Sequence, residues 1–321
     1  MPKTSRKRKV HKPPPVKTLQ DLIDLSNTMK IYDNIDANRL WVVTPYLEQL
    51  NNLVGLKTLK ESIFDQVLYY LQSMHLANNK GEYLHTALLG PPGTGKTTVA
   101  KIIGKIYQNL GILSDSGTFC TAYREDFVGE YLGQTAKKTT NLLQDSLGGV
   151  LFVDEAYSLG GNGDMYSREA LTVLNSFLSE HKKDFCCIVA GYEKDMNELF
   201  FKGNRGLKSR FRWIHKIPAY ITEELVDIFI LMVDKSNWVL NVDKSDIFDI
   251  LKDSDDLFKS AARDIETFID KCKIAHSKRV FGLDSLHKFI LCKEDLISGI
   301  ELVKKYSEKQ VEDNPPIGMY T

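Results

Sequence analysis

Apolar positions along the chain fall into two textures that change near Pro218. From residue 51 to Pro218, short β-prone runs alternate with stretches of helical period. The runs are Leu84–Leu89, Thr118–Ala122, Val150–Val153 and Phe185–Ala190. Runs this apolar read as strands buried on both faces. Leu59–Leu76, a segment starting near Thr97, Ala136–Leu147 and Ser167–Ser179 carry helical spacing between them. The alternation predicts an α/β fold, a parallel sheet covered by helices on both faces. Ile214–Pro218 reads as a fifth strand at an edge. Past Pro218, "ITEELVDIFILMVDKS" and "KSAARDIETFIDKCKIAHSK" repeat apolar residues at helical spacing. Thr222 followed by Glu223 and Glu224 predicts a helix start. Residues 219–286 therefore read as a small all-helical unit, and 287–321 as one more helix with a tail. Upstream, 18–50 reads as a helical segment that Asn51, Asn52 and Gly55 interrupt.

Charge and composition narrow the class. Lys+Arg and Asp+Glu both number 42 in 321 residues, so no overall field points to nucleic acid or membrane. No apolar run is long enough to span a bilayer, and no signal-peptide core follows Met1. The five cysteines, Cys120, Cys186, Cys187, Cys272 and Cys292, are odd in number and lack C-x-x-C spacing. A reducing, cytoplasmic compartment is expected, with neither disulfides nor zinc. Residues 1–17 are basic and proline-rich and should not bury a core. Within them Ser5–Val10, "SRKRKV", reads as a nuclear-localisation or polyanion-binding run, or equally as a solvated tail.

"GPPGTGKTT", Gly90–Thr98, fits the phosphate-loop pattern G-x-x-x-x-G-K-[ST] between a predicted strand and a predicted helix. Glycines let backbone N–H groups converge on one point, and the helix N-terminus adds unpaired donors. Lys96 would reach the β- and γ-phosphates of ATP, and the Thr97 hydroxyl would ligate Mg²⁺. Four apolar residues in "GGVLFVDEAYSL" place Asp154 and Glu155 at the carboxyl end of a strand, where open α/β sheets bind ligands. Asp154 would hold the Mg²⁺, and Glu155 would orient the attacking water. The cation-rich "NRGLKSRFR" offers Arg210 for transition-state charge, with Arg205, Lys208 and Arg212 as alternatives; a solvated basic face is the competing reading. In "VGEYLGQ", residues 128–134, Tyr131 and Leu132 sit between Gly129 and Gly133. An aromatic there is either half-buried packing or a group held out to a partner.

"GLKTLKESI", "GPPGTGKTTVA", "FVGEYLGQTAKKT", "GGVLFVDEAYSL", "VAGYEKDM" and "GLKSRF" occur in the order and spacing of the AAA+ ATPases. The chain is most similar to the CfxQ-like branch of CbbX, the red-type Rubisco activase, and stage V sporulation protein K. The resemblance covers about 50–285. It implies a P-loop NTPase domain over 51–218 and a helical lid over 219–286. Gly90, Pro91, Pro92, Gly93, Thr94, Gly95, Lys96 and Thr97 resemble Walker A, with Thr98 beside it. Asp154 and Glu155 resemble Walker B. Val54 and Gly55 lie where relatives contact adenine. Tyr192 stands at sensor 1 in place of the usual polar residue. Arg210 resembles the arginine finger, although Arg205 replaces a proline of the family pattern. Arg263 matches the sensor 2 arginine, with Glu266 where relatives often carry another. An arginine finger acting in trans implies a ring, most often a homo-hexamer. Tyr131 and Leu132 then resemble the first pore loop, and 160–169 a second one.

Three functions follow as expectations. The first is an ATP-driven remodeller of a protein client. The second is a nucleic-acid-handling ATPase using the basic arm. The third is an ATP-binding scaffold with little turnover. A tyrosine loop favours the first over the second, since a strand-tracking channel needs lysine and arginine. Lys96, the acid pair and Arg210 argue against the third.

Overall fold

A computed structural model describes residues 10–77, 82–114, 117–131, 133–160, 165–204 and 206–312, with only the backbone given for Val10 and 307–312. The chain divides into two compact units, residues 1–91 with 95–218, and 92–94 with 219–321.

In the first unit, Val10–His11 (β1) pairs in parallel with Ile31–Tyr32 (β2), on either side of α1 (Leu19–Asn27). Thr18 caps α1 reciprocally. Its hydroxyl accepts from the Asp21 N–H at 3.1 Å, and the Asp21 carboxylate accepts from the Thr18 N–H at 3.0 Å. The helical stretch read over 18–50 is two helices, α1 and α2 (Ala37–Asn51), because Met29 and Asn34 adopt left-handed φ of 52° and 57° between them. Then follow α3 (Lys57–Leu71), β3 (Thr86–Leu89), α4 (Lys96–Asn109), β4 (Phe119–Ala122), α5 (Arg124–Phe127) and α6 (Thr135–Asp145). The unit continues with β5 (Val150–Val153), α7 (Met165–Glu180), β6 (Cys186–Gly191), α8 (Glu193–Asp195) running into a π-helical turn at Met196–Phe201, and β7 (Trp213–Lys216).

The five strands β4-β5-β6-β3-β7 lie in that order and are all parallel. The alternation of side chains along a strand sends neighbours to opposite faces. Leu88, Phe152 and Ile188 join one core with Ile63, Val67, Ile103 and Tyr107 from the helices. Leu89, Leu151 and Val189 join the other, with Leu143, Leu174, Phe200 and Phe211. Every residue of β3, β5 and β6 is buried, which is why these strands read as mainly apolar runs without alternation. Cys186 and Cys187 pack one on each face, and burial pushes the Cys187 thiol up. β7 is one of the two edge strands, with Trp213 beside Thr86 and Lys216 beside Leu89.

The second unit contains α9 (Thr222–Lys235), β8 (Val239–Asn241), α10 (Lys244–Lys252), α11 (Ala262–Arg279), β9 (Ile290–Cys292) and α12 (Lys293–Glu312). It is helical but not wholly so. β8 and β9 form a parallel pair, which the sequence reading did not anticipate, because three-residue strands carry too little period to see. The helix α12 packs along α11, and Gly299 makes room, since a Cβ there would lie 2.6 Å from Cys272 Sγ. Buried Asp295, in the first turn of α12, accepts from Arg279 Nε at 2.7 Å, Arg279 Nη2 at 2.9 Å and the Cys292 N–H at 2.9 Å. His276 Nδ1 lies 3.0 Å from the same carboxylate. Burial alone would raise the Asp295 pKa, but Arg279, the Cys292 N–H and His276 hold it down at about 2. Among the described residues, no helix is long and apolar enough to cross a membrane.

Candidate nucleotide site

The strand β3 delivers the phosphate loop to the carboxyl edge of the sheet. The Gly90 N–H donates to the Gly191 carbonyl at 3.1 Å, tying the loop to the end of β6. Gly93 and Gly95 have φ of 68° and 80°, where only glycine is unstrained, and α4 starts directly after Gly95. Lys96 folds back over the loop. Its Nζ donates to the carbonyls of Gly90 at 3.0 Å and Pro91 at 2.6 Å. One residue on, the Thr97 hydroxyl lies 3.3 Å from Asp154 Oδ2. Pro92 to Thr94 group with the second unit, Thr94 is buried, and Thr98 is exposed on α4.

The strand β5 brings the acid pair to the same edge. Asp154 Oδ1 accepts from the Glu155 N–H at 3.0 Å. Glu155 is exposed and holds a left-handed φ of 49°, a strain on the order of 1–3 kcal/mol. Tyr192 closes β6, with its ring centroid 5.7 Å from Lys96 Nζ. The Tyr157 ring lies 5.7 Å from that of Tyr192 at 32°. The Tyr157 hydroxyl is pushed up to about 12 by burial first, then by Glu155, Tyr192 and Asp195. It stays a neutral donor beside Glu155. Sequence reasoning missed Tyr157; the only signal was its place two residues after the acid pair.

This arrangement suits a nucleoside triphosphate. The loop N–H groups and helix start attract anionic oxygens. Lys96 supplies charge, and the Thr97 hydroxyl with the Asp154 carboxylate form an oxygen donor set of the kind Mg²⁺ takes.

Other candidate residues fall elsewhere. Val54 and Gly55 are half-buried in the turn between α2 and α3, where Gly55 and Leu56 have φ of 66° and 60°. Lys60, absent from the sequence reading, pins that turn, with Nζ donating to Asn51 O at 2.9 Å and Leu53 O at 2.6 Å. Burial lowers its pKa. Arg263 is exposed in the first turn of α11, in the second unit, and Glu266 is exposed one turn on.

Arg210 lies three residues before β7, at the amino end of the sheet. β3 runs in register with β7, so Arg210 stands at the opposite end of β3 from the phosphate loop, four strand residues away. That span is roughly 13 Å. Lys208 is exposed. Arg212 is engaged over the Tyr83 ring at 5.4 Å, and Lys182 Nζ lies 4.6 Å from the same ring centroid. Arg205 is outside the described residues.

Tyr131 is 67% exposed. The flanks of its loop are pinned. The Gly129 N–H donates to Thr135 Oγ1 at 3.1 Å, and Thr139 Oγ1 donates to Phe127 O at 3.0 Å. Lys138 Nζ donates to Glu125 O at 2.6 Å and Val128 O at 3.1 Å. A Cβ on Gly129 would come within 2.7 Å of Gln134 Cβ, and Gly133 has φ of 82°. The helical stretch read from Ala136 is α6, starting at Thr135, and its Lys138 is a clamp on the loop. Leu132, residues 161–164 of the second candidate loop and the basic run at 5–9 are outside the described residues.

Residues 86–211 match the model of the ATPase family associated with various cellular activities (AAA). A cfxQ-like protein of Acanthamoeba polyphaga mimivirus is 37% identical over 275 residues, covering 83% of this chain and 67% of that protein. Stage V sporulation protein K of Bacillus subtilis is 37% identical over 199 residues, 60% of this chain and 61% of its own length, so the match spans under two thirds of that relative. A chloroplastic ribulose bisphosphate carboxylase/oxygenase activase of Cyanidioschyzon merolae is 34% identical over 240 residues, covering 72% of this chain and 80% of that protein. The fold matches the crystal structure of the FIGL-1 AAA domain in complex with ADP at a TM-score of 0.57, with 17% identity, over 81% of this chain and 88% of that one. The chain is thus an Mg²⁺-dependent ATPase and belongs to the AAA+ family, in the branch of the CfxQ and CbbX proteins and stage V sporulation protein K.

Proposed function

We propose that the chain works as a ring, a homo-hexamer on the family pattern, in which ATP hydrolysis moves the Tyr131 loops and pulls on a protein client. Residues 51–218 are the nucleotide-binding domain and 219–286 the lid. Lys96 and the loop from Gly90 to Thr98 take the phosphates, with Val54 and Gly55 against the base. Thr97 and Asp154 hold Mg²⁺, and Glu155 polarises the attacking water, with Tyr192 and Tyr157 beside it. Arg263 reaches the γ-phosphate from the lid. Arg210 completes the ATP site of the neighbouring subunit, because its own loop is at the far end of β3. The client is a polypeptide engaged as an extended segment. The reading draws no support for nucleic acid from the described residues.

The observation that carries this function is the exposure of Tyr131 on a loop whose two flanks are fixed. A tyrosine in solvent gains nothing for the fold, and its flat ring grips peptide with little sequence preference. The glycines on either side leave the tip able to swing. Expected outcome: Tyr131→Ala keeps basal ATP hydrolysis within about twofold and loses work on the client. The client is first captured on an affinity-tagged Glu155→Gln chain held with ATP, and identified by mass spectrometry. Unfolding of Tyr131→Ala, seen by circular dichroism, would instead make the ring a packing residue.

A further inference from the structure

Arg210 is held by three acceptors, and their chemistry shows how it is aimed. Nε donates to Ser179 Oγ at 3.0 Å; Nη1 donates to Gly206 O at 3.1 Å and to Ser209 Oγ at 2.7 Å. Both hydroxyls have already used their single proton. Ser179 donates to Asn175 O at 3.1 Å and Ser209 donates to Gly206 O at 2.8 Å. Each therefore meets the guanidinium with lone pairs only. Nε and Nη1 are satisfied, and Nη2 has no acceptor among the described residues. A guanidinium is planar, so fixing Nε and Nη1 fixes the direction of Nη2.

We propose that Ser179 is a positioning residue for the arginine finger: its hydroxyl orients the Arg210 guanidinium so that Nη2 points outward to the neighbouring subunit's ATP. The proposal rests on the proposed role of Arg210. Ser179 is well placed for it. It sits in the last turn of α7, a rigid element, whereas Arg210 follows a single 3-10 turn, Leu207–Ser209. Gly206 lets that turn lie against α7, since a Cβ there would come 2.8 Å from Asn175 Nδ2. Asn175 and Ser179 are one helical turn apart on α7, so one face of this helix both seats the turn and aims its arginine.

The test compares the full-length wild type with Ser179→Ala, Ser179→Thr, Ser179→Val, Arg210→Ala and the Ser179→Ala/Arg210→Ala double variant. Steady-state ATP hydrolysis and equilibrium ATP affinity are measured for each. Thr and Val have the same shape and differ in the hydroxyl. Expected outcome: Ser179→Ala and Ser179→Val lower kcat about tenfold with ATP affinity unchanged, and Ser179→Thr restores it. The double variant is no slower than Arg210→Ala, because the serine acts only through the arginine. Wild-type kcat in Ser179→Val, a loss that adds to that of Arg210→Ala, or equal loss in Thr and Val would overturn the proposal. Should Ser179→Ala fail to fold, the Thr–Val comparison decides alone. If Arg210→Ala itself turns over like wild type, the finger assignment fails, a result distinct from failure of the serine.

Discussion

Thr97 Oγ1 lies 3.3 Å from Asp154 Oδ2, so the first turn of α4 and the end of β5 meet in one hydrogen bond across 57 residues of sequence. Two oxygens at that separation can share a hard divalent cation once the hydroxyl turns its lone pair outward. Asp154→Asn keeps the shape and removes the charge. The expected result is a tenfold or larger rise in the Mg²⁺ concentration that half-activates ATP hydrolysis. A wild-type Mg²⁺ titration would remove Asp154 from the metal site.

Glu155 is expected to be needed for chemistry rather than binding. The Glu155 carboxylate is exposed at the end of β5, with the Tyr157 hydroxyl beside it, where it can take a proton from water. Glu155→Gln should bind ATP with wild-type affinity while turnover falls by about 10²–10⁴. Nucleotide binding by isothermal titration and phosphate release on the same sample separate the two.

Arg210 and Lys96 should complement each other between chains. Lys96→Ala is expected to lose nucleotide binding, and Arg210→Ala to lose hydrolysis while still binding ATP. Mixed, some contacts pair an intact loop on one chain with an intact arginine on the next, and part of the activity returns. Hydrolysis that stays at the sum of the two parents across several mixing ratios would rule out an arginine acting in trans.

Asp295 gives the second unit an acid limb. Its folded pKa is held at about 2, below the ordinary aspartate value of about 3.9. A carboxylate with a depressed folded pKa contributes stability above its unfolded pKa and loses it as pH falls through the folded one. Stability should therefore decline from about pH 4 to about pH 2. Asp295→Ala leaves Arg279 and His276 without their shared acceptor and should cost on the order of 3–5 kcal/mol at neutral pH. Urea unfolding of both proteins across the pH range checks it. A variant that loses stability over the same acid window as the wild type would show that Asp295 is not the titrating group.

What the sequence made legible follows from how local each signal is. Val150–Val153 was readable to the residue, because a strand buried on both faces has no polar position to blur its ends. Lys96 and Thr97 stood out as candidates because a phosphate loop demands fixed spacing, and Asp154 and Glu155 because they follow four apolar strand residues. The contacts that hold the candidate residues were not legible. Ser179 precedes Arg210 by 31 positions, and nothing but the packing of α7 brings them together. Lys60 and Lys138 look like ordinary surface lysines until their ammonium groups are seen on backbone carbonyls. Asp295 draws its partners from α11 and β9, 3 to 19 positions upstream and at no regular period, so the cluster has no motif to read.

With Arg210 as the proposed finger, the parallel register of β3 and β7 would set how activity scales with amount. With Trp213 beside Thr86, the phosphate loop and Arg210 occupy opposite ends of one strand pair. With Arg210 as the finger, a single chain carries halves of two different catalytic centres and owns neither. Two chains joined head-to-tail complete one centre and leave an unmatched loop at one end and an unmatched arginine at the other. Each added chain repeats that imbalance until closure removes both ends. In the proposed ring, specific activity is expected to collapse on dilution below the concentration that sustains assembly, and the abundance of the protein would then act as a switch on its own turnover.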